Sequence, residues 1–252
     1  MLVIVSPAKK LDFETECSVS EQGKPEFLQK TNQLALELKN LQTNDVGKLM
    51  KLSSNLAELN YARFQSFKST YNPSCAKQAA FAFNGDTYTG LDILSFSKTD
   101  LKQAQKKLRI LSGLYGILKP LDLIQPYRLE MGTKFKFGQY KNLYEYWSED
   151  VTEYINNECK DQDLLINCAS NEYFSVINKK KIKSKIITPA FKELKDGEYK
   201  MISFFAKRAR GMMAKYIIQN NVEDLASLKK FNLDGYKYNA KLSSDIEPVF
   251  TR

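Results

Sequence analysis

Histidine is absent from this 252-residue chain. Its absence removes the commonest general base, the Ser-His and Cys-His dyads, and the commonest metal-binding side chain. Any proton transfer must therefore use Asp, Glu, Lys, Tyr or Cys. An iron site would have to be built from Asp, Glu and Tyr, and the sequence shows no suitable spacing of these residues. We therefore predict neither a metal site nor a cofactor.

Cysteine is scarce and widely spaced. The four cysteines are Cys17, Cys75, Cys159 and Cys168, and no two of them form a C-x-x-C pair. This spacing argues against a zinc ribbon and against a thioredoxin-like motif. No signal peptide and no disulfide-type spacing is recognised, so we expect a cytoplasmic protein with reduced thiols.

Long apolar runs, glycine and proline are also few. No stretch approaches the apolar length that a membrane span requires, so no membrane association is expected. With 11 Gly and 7 Pro in the chain, long disordered linkers are not expected either. No internal repeat is found. The sequence predicts one domain over residues 1–252, with a monomer favoured.

Positive charge is in excess. Lys and Arg number 38 against 29 for Asp and Glu, which gives a formal net charge of +9. Such an excess fits a polyanionic partner, either nucleic acid or phosphorylated ligands. A Lys-rich composition caused by AT-biased codons would produce the same excess, and charge alone leaves both explanations open.

Apolar runs and helical periodicity predict the fold. Residues 2–5 and 164–169 are expected to be buried strands, and residues 26–41 and 143–159 are expected to be amphipathic helices. We predict a mixed α/β (α+β) domain with a central mixed sheet flanked by helices. Polar residues such as Lys9 follow the first strand, and ligands gather beyond the carboxyl ends of strands in such sheets.

Residues 108–132 concentrate Gly and Pro between apolar residues, so the backbone must turn repeatedly in a hydrophobic setting. Two models fit Gly113 and Gly116. In one, they form the turn of a helix-hairpin-helix whose backbone N–H groups meet a phosphate. In the other, a strand ends at Gly113 and the glycines let the backbone approach a ligand. Nearby positive charge, including Lys119 and Arg128, favours the first model.

A second basic segment lies further along the chain. Residues 199–206 are predicted to be a strand that runs directly into a helix, and Lys207, Arg208 and Arg210 occupy the start of that helix. Positive side chains there oppose the helix dipole, which is unfavourable unless an anion is supplied. The sequence therefore predicts an anion site at this junction.

A different set of polar residues would suit acid–base chemistry. They lie on predicted loops at strand ends and are Lys9, Asp86, Tyr88, Arg128, Glu130, Glu172 and Lys207. Such a set suits a substrate that carries a carboxylate or a phosphate, with Lys, Glu or Tyr as the acid or base. A narrow pocket that holds most of these residues would favour an enzyme, and a scattered arrangement would eliminate it.

Five sequence blocks, in order along the chain, resemble the YaaA family of bacterial peroxide-stress-resistance proteins. The blocks are SPAKKLDF near the start, FNGDTYTGL at 83–91, LSGLYGILKPLDLIQPYRLEMG at 111–132, NCASNEYFSVI at 167–177 and ISFFAKRARGMMAKYII at 202–218. The resemblance implies a cytosolic protein linked to survival of hydrogen peroxide by keeping unincorporated iron low. It also implies a single mixed α/β domain with a basic cleft and a helix-hairpin-helix-like element that binds DNA.

Carried over to this chain, the resemblance assigns specific residues to the cleft. The cleft would be furnished by Lys9, Arg128, Lys207, Arg208 and Arg210, with the hairpin around Gly113 and Gly116.

Three functional hypotheses follow from these patterns. The first is a cytosolic stress protein that binds DNA through its phosphates without reading bases, and so limits iron-driven damage indirectly. The second is an enzyme of unknown reaction on a small carboxylate- or phosphate-bearing substrate. The third is a scaffold whose basic face has no binding role. We predict the first, with the enzyme as the alternative.

Overall fold

The computed structural model describes residues 1–17, 19–70, 74–160 and 162–252. In this part of the chain the α-helices are α1 (Leu28–Lys39), α2 (Thr43–Met50), α3 (Ser54–Ser66), α4 (Ala79–Ala82), α5 (Asp86–Leu91), α6 (Lys98–Lys107), α7 (Leu143–Glu158), α8 (Asn171–Phe174), α9 (Ser203–Gln219) and α10 (Leu225–Leu228). The strands are β1 (Leu2–Val5), β2 (Lys10–Leu11), β3 (Lys77–Gln78), β4 (Phe83–Asn84), β5 (Leu108–Ser112), β6 (Gly116–Leu118), β7 (Leu123–Ile124), β8 (Leu164–Cys168), β9 (Lys185–Ile187), β10 (Ala190–Lys195), β11 (Glu198–Lys200), β12 (Lys237–Tyr238) and β13 (Val249–Thr251).

β1 lies at the centre of a five-stranded sheet with the order β6-β5-β1-β8-β9. The pairs β5–β1, β1–β8 and β8–β9 are parallel, and β6 is antiparallel to β5. All four residues of β1 are at most 2% exposed, which explains why the strand is a continuous apolar run. The predicted mixed α+β single-domain fold, with a central mixed sheet flanked by helices, is confirmed.

The register of the parallel strands fixes where polar side chains meet. Val5 at the end of β1 pairs with Cys168 at the end of β8. The residues that follow, Ser6 and Ser170, therefore emerge side by side at one edge of the sheet. The short pair β2–β4 joins Lys10 to Asn84 and brings the segment before α5 to the same edge.

A second sheet of four strands has the order β11-β10-β13-β12, and its β10–β13 pair is parallel. The predicted strand over residues 199–206 is only partly correct, because β11 ends at Lys200 and α9 begins at Ser203. The run ISFF (residues 202–205) is apolar, and a short apolar run does not by itself distinguish a strand from the first turn of a buried helix.

The segment around Gly113 and Gly116 is a β-hairpin, so the predicted helix-hairpin-helix at these glycines is wrong. β5 and β6 pair antiparallel on either side of the turn. A Cβ on Gly113 would lie 2.2 Å from the carbonyl oxygen of Leu129, and one on Gly116, whose φ is +72°, would lie 2.8 Å from the Trp147 ring. The glycines are therefore required for contact with protein atoms, and they are buried inside the fold.

α5 and α9 cross with their backbones in contact. A Cβ on Gly90 would lie 2.0 Å from the carbonyl oxygen of Arg208, and one on Gly211 would lie 1.8 Å from the carbonyl oxygen of Thr87. Two glycines thus permit a crossing that no larger residue would allow. The crossing holds the start of α5 beside the part of α9 that carries Lys207, Arg208 and Arg210.

No helix among the described residues combines the length and the apolar character needed to cross a lipid bilayer.

Candidate functional site

A cleft of about 470 Å³ opens where β1 and β8 end. We call it the β1–β8 cleft. It is lined by Ser6, Pro7, Ala8, Lys9, Lys10, Asn84, Gly85, Asp86, Thr87, Cys168, Ser170, Glu172, Tyr173, Lys207 and Arg210. Its walls come from four separate segments: the loop after β1, the start of α5, the start of α8 and the first turns of α9.

The floor of the cleft is held together by hydrogen bonds at the strand ends. The backbone N–H of Ser170 donates to Oγ of Ser6 over 2.9 Å. The Tyr88 hydroxyl donates to the Ser6 carbonyl over 3.2 Å. Tyr88 is buried, and burial raises its pKa well above the usual value, so this phenol stays protonated. The Tyr88 hydroxyl therefore acts as a hydrogen-bond donor that holds the loop after β1 in place.

The acidic wall consists of Asp86 and Glu172. Asp86 is the first residue of α5, where a carboxylate is stabilised by the helix dipole. Oε1 of Glu172 accepts the backbone N–H of Gly132 over 3.1 Å, and the Tyr144 hydroxyl donates to the Glu172 carbonyl over 2.9 Å. Glu172 thereby ties the start of α8 to the loop that carries Gly132.

The basic wall comes from the first turns of α9. Lys207 and Arg210 line the cleft, and within the described residues neither forms an ion pair. The first turn of α9 has no acidic residue and no side-chain cap. The Arg208 side chain is exposed and does not line the cleft, and its backbone carbonyl lies at the crossing with α5.

One carboxylate is shared by two cations beside the cleft. Oε1 of Glu130 lies 3.0 Å from Nζ of Lys9 and 3.1 Å from a terminal nitrogen of Arg128. Burial, together with the nearby charge of Arg128, lowers the pKa of Arg63, which donates to Oδ1 of Asn60 over 3.2 Å. Two cations therefore share Glu130, and Arg63 lies near enough to Arg128 for their charges to repel, so the cluster keeps a net positive charge.

A second cavity of about 590 Å³ adjoins the first at Lys9 and Glu172. We call it the lysine groove. It is lined by Lys9, Lys48, Leu49, Met50, Lys51, Glu130, Gly132, Thr133, Lys134 and Glu172. Lys48 and Lys51 come from the end of α2, and Lys134 comes from the loop after Gly132. No sequence pattern marks these three lysines as a binding site, because exposed lysines on a helix and a loop are typical of any solvated surface.

Cys168 lies under the floor of the cleft and is 1% exposed. Burial raises the pKa of its thiol to about 12, although the nearby charge of Arg210 lowers it in part. Within the described residues, no group of three or more carboxylate or thiol side chains is arranged to hold a metal ion.

The structure gathers most of the residues singled out from the sequence. Lys9, Asp86, Glu172, Lys207 and Arg210 line the β1–β8 cleft. Arg128 and Glu130 adjoin it through Lys9, and Tyr88 supports its floor.

Besides Arg128, which only adjoins the cleft, four residues predicted to contact phosphate do not line it. Gly113 and Gly116 are buried in the β5–β6 hairpin. Lys119 forms an ion pair with Glu158, with 3.6 Å between Nζ and Oε1. Arg208 is exposed on α9 outside the cleft lining.

Comparison with known proteins gives one consistent result. The family model described as "Peroxide stress protein YaaA" matches residues 1–242. A UPF0246 protein of Flavobacterium johnsoniae is 50% identical over 252 residues, covering 100% of both chains. UPF0246 proteins of Alteromonas mediterranea and Shewanella pealeana are each 50% identical over 254 residues, covering 100% of this chain and 98% and 99% of the relatives.

Proposed function

Because the chain belongs to the peroxide stress protein YaaA family and so has a role in peroxide stress, we propose that it acts in the cytoplasm by binding DNA through its phosphates. In this proposal the phosphates enter the β1–β8 cleft and the bases are not read. Binding shields the DNA from iron-driven oxidative damage, and the protein itself holds no iron. It acts as a monomer.

The observation that carries this proposal is the excess of unpaired positive charge in the cleft. Four cations line it, Lys9, Lys10, Lys207 and Arg210, against the carboxylates of Asp86 and Glu172. Lys9 is already paired with Glu130, and Glu172 already accepts a backbone N–H. Lys207 and Arg210 thus remain available, and phosphate oxygens are the acceptors that such side chains bind in nucleic acids.

The size of the cleft limits how DNA can bind. A cavity of about 470 Å³ has the size of a small-molecule pocket and is too small to admit a duplex. A phosphate of one strand, or a strand end, fits. We therefore expect single-stranded DNA to bind more tightly than a continuous duplex of the same length.

The test is binding of labelled oligothymidylate between about 50 mM and 200 mM salt, a range over which phosphate contacts weaken strongly. Lys207→Ala/Arg210→Ala should lower the affinity and reduce the salt slope by about 0.7 for each lost contact. The matched control is Lys180→Ala/Lys181→Ala, which removes the same charge from an exposed run outside both cavities. Equal salt slopes in the two variants would contradict the proposal.

Tight, stoichiometric iron binding by the purified protein would contradict the indirect role in limiting iron-driven damage.

A second candidate function is an enzyme that acts on a small substrate carrying a phosphate or a carboxylate. The observation that favours it is the outcome named above for an enzyme, since four of the seven candidate residues, Lys9, Asp86, Glu172 and Lys207, line one cleft of small-molecule size. Lys207 would bind the anionic group, and Asp86 or Glu172 would transfer a proton.

The enzyme candidate is tested by measuring thermal stabilisation by small phosphates and carboxylates. Stabilisation that Lys207→Ala abolishes, together with no salt-dependent binding of oligothymidylate, would favour the enzyme. No stabilisation by any of these compounds would argue against it.

A further inference from the structure

The lysine groove contains positively charged side chains that do not line the β1–β8 cleft. Lys48, Lys51 and Lys134 line it, and among the described residues none of the three forms an ion pair. They reach the groove from two separate parts of the chain, the end of α2 and the loop after Gly132. Their convergence on one concave surface distinguishes them from an ordinary solvated lysine run such as residues 179–183.

The lysine groove and the β1–β8 cleft are joined. Lys9 and Glu172 line both of them. The carboxylates at this junction are already occupied, since Glu130 accepts from Lys9 and Arg128 and Glu172 accepts the Gly132 N–H. The net charge along the two cavities is positive, with seven cations, Lys9, Lys10, Lys48, Lys51, Lys134, Lys207 and Arg210, against Asp86, Glu130 and Glu172.

The two cavities meet beside an exposed ion pair. Lys9 lines both cavities, its side chain is 65% exposed, and its Nζ lies 3.0 Å from Oε1 of Glu130. A ligand that reaches both cavities passes this ion pair. Such a ligand must be flexible enough to follow the surface there and must present regularly spaced anions on both sides.

We propose that a single-stranded oligonucleotide occupies the β1–β8 cleft and the lysine groove together, with a phosphate beside Lys9 where the strand crosses. This inference rests on the proposed function and specifies its ligand: a strand of several nucleotides, bound by phosphates on both sides of the junction. Single strands suit such a path because their backbone can bend at one nucleotide, whereas a duplex is stiff over this length.

The experiment compares a thymidine dinucleotide with a dodecanucleotide at several salt concentrations. The test variant is Lys48→Ala/Lys51→Asn/Lys134→Ala. Asparagine is chosen at position 51 because Lys51 has a φ of +53°, a conformation that asparagine tolerates. The control variant is Lys180→Ala/Lys181→Ala/Lys183→Ala, which removes the same charge from exposed residues outside both cavities. Thermal unfolding confirms that both variants fold.

For the dodecanucleotide, the test variant should reduce the salt slope by about 2, because three contacts of about 0.7 each are lost on a single strand. Its affinity for the dinucleotide should stay at the wild-type value, and the control variant should match wild type for both ligands. A test variant that behaves like the control overturns the inference and leaves the proposed function in place. Equal losses for both lengths also overturn it, since that result reflects overall charge. Absence of any DNA binding by the wild-type protein overturns both.

Discussion

Lys9 and Glu130 form an ion pair of 3.0 Å between Nζ and Oε1, and this pair stands at the junction of the two cavities. Glu130 is only 13% exposed in its side chain, whereas Lys9 is 65% exposed. The carboxylate is thus fixed, and the ammonium group is the mobile partner. A phosphate that arrives at the junction competes with Glu130 for Lys9.

Glu130→Gln should therefore strengthen oligonucleotide binding. The change removes the negative charge that Lys9 and Arg128 share, so both cations become available to phosphate. We expect a several-fold gain in affinity at low salt and a steeper dependence on salt, measured by fluorescence anisotropy. Glu198→Gln, a change at an exposed carboxylate on β11, is the control. Weaker binding by Glu130→Gln would instead show that Glu130 holds the two cations in place.

Gly211→Ala should destabilise the protein by about 3 kcal/mol, because overpacking costs are typically 1–3 kcal/mol and the clash here is with backbone. The added Cβ would lie 1.8 Å from the Thr87 carbonyl oxygen and would force α5 away from α9. Urea unfolding measures the change. In the control, Gly47→Ala on α2, the added Cβ lies 3.2 Å from the Ala57 side chain, and we expect a change of no more than about 1 kcal/mol. An unchanged midpoint for Gly211→Ala would contradict the close helix crossing.

The cysteines should fall into two reactivity classes in the native protein. Cys159 and Cys168 are buried, and burial raises the pKa of both thiols, to about 12 for Cys168. Because the thiolate is the reactive form, neither should react with iodoacetamide or hydrogen peroxide at neutral pH. Cys17 and Cys75 are partly exposed and should react first. Mass spectrometry of the labelled protein separates the classes, and modification of native Cys168 would refute the assignment.

Asp122 should make stability fall as the pH rises. It is 4% exposed, and burial raises its pKa from 3.8 to about 6, although its carboxylate accepts the Lys119 N–H over 2.7 Å. Between pH 3.8 and about pH 6, Asp122 holds a proton in the folded chain that it has released in the unfolded chain. The contribution of this group is therefore complete below about pH 4 and is lost as the pH rises through about 6.

Asp122→Asn tests that linkage. The amide keeps an acceptor for the Lys119 N–H and cannot ionise. Between about pH 4 and pH 7 the fall in unfolding free energy should be smaller in the variant than in wild type by about 2 kcal/mol, since one pKa unit corresponds to about 1.4 kcal/mol. Urea unfolding at several pH values gives both curves. Parallel curves for the two proteins would contradict the raised pKa.

The fold was predictable where one physical signal dominates. β1 and β8 are short runs of consecutive apolar residues, and α7 shows a clear helical period, so their positions follow from the sequence nearly to the residue. The turn at Gly113 and Gly116 was not predictable. Glycines permit tight turns between helices as well as between strands, and only contact with Leu129 and Trp147 decides the outcome. Those contacts are made by residues distant in sequence.

The candidate site was predictable where polar residues follow buried strands or where positive residues cluster after an apolar segment. Lys9 and Glu172 follow β1 and β8. Lys207 and Arg210 were predicted in the first turn of a helix, whereas α9 begins at Ser203 and they are its fifth and eighth residues, beyond the turn in which the dipole acts. These four residues do line one cleft. Lys48, Lys51 and Lys134 lie in segments with no local sequence signal for a binding site. They converge only because the end of α2 packs beside the loop after Gly132.

The central position of β1 also has a consequence for biosynthesis. Val3 pairs with Leu108 on one side and with Ile166 on the other, so both partners are translated more than a hundred residues later. At about 5–20 residues per second, roughly 8–30 s pass between the synthesis of β1 and that of β8. Until β5 is synthesised, roughly 5–20 s after β1, the apolar segment LVIV has no strand of the sheet to pair with. The nascent chain therefore carries an exposed apolar segment during this time, and the five-stranded sheet is complete only once β8 and β9 have been synthesised.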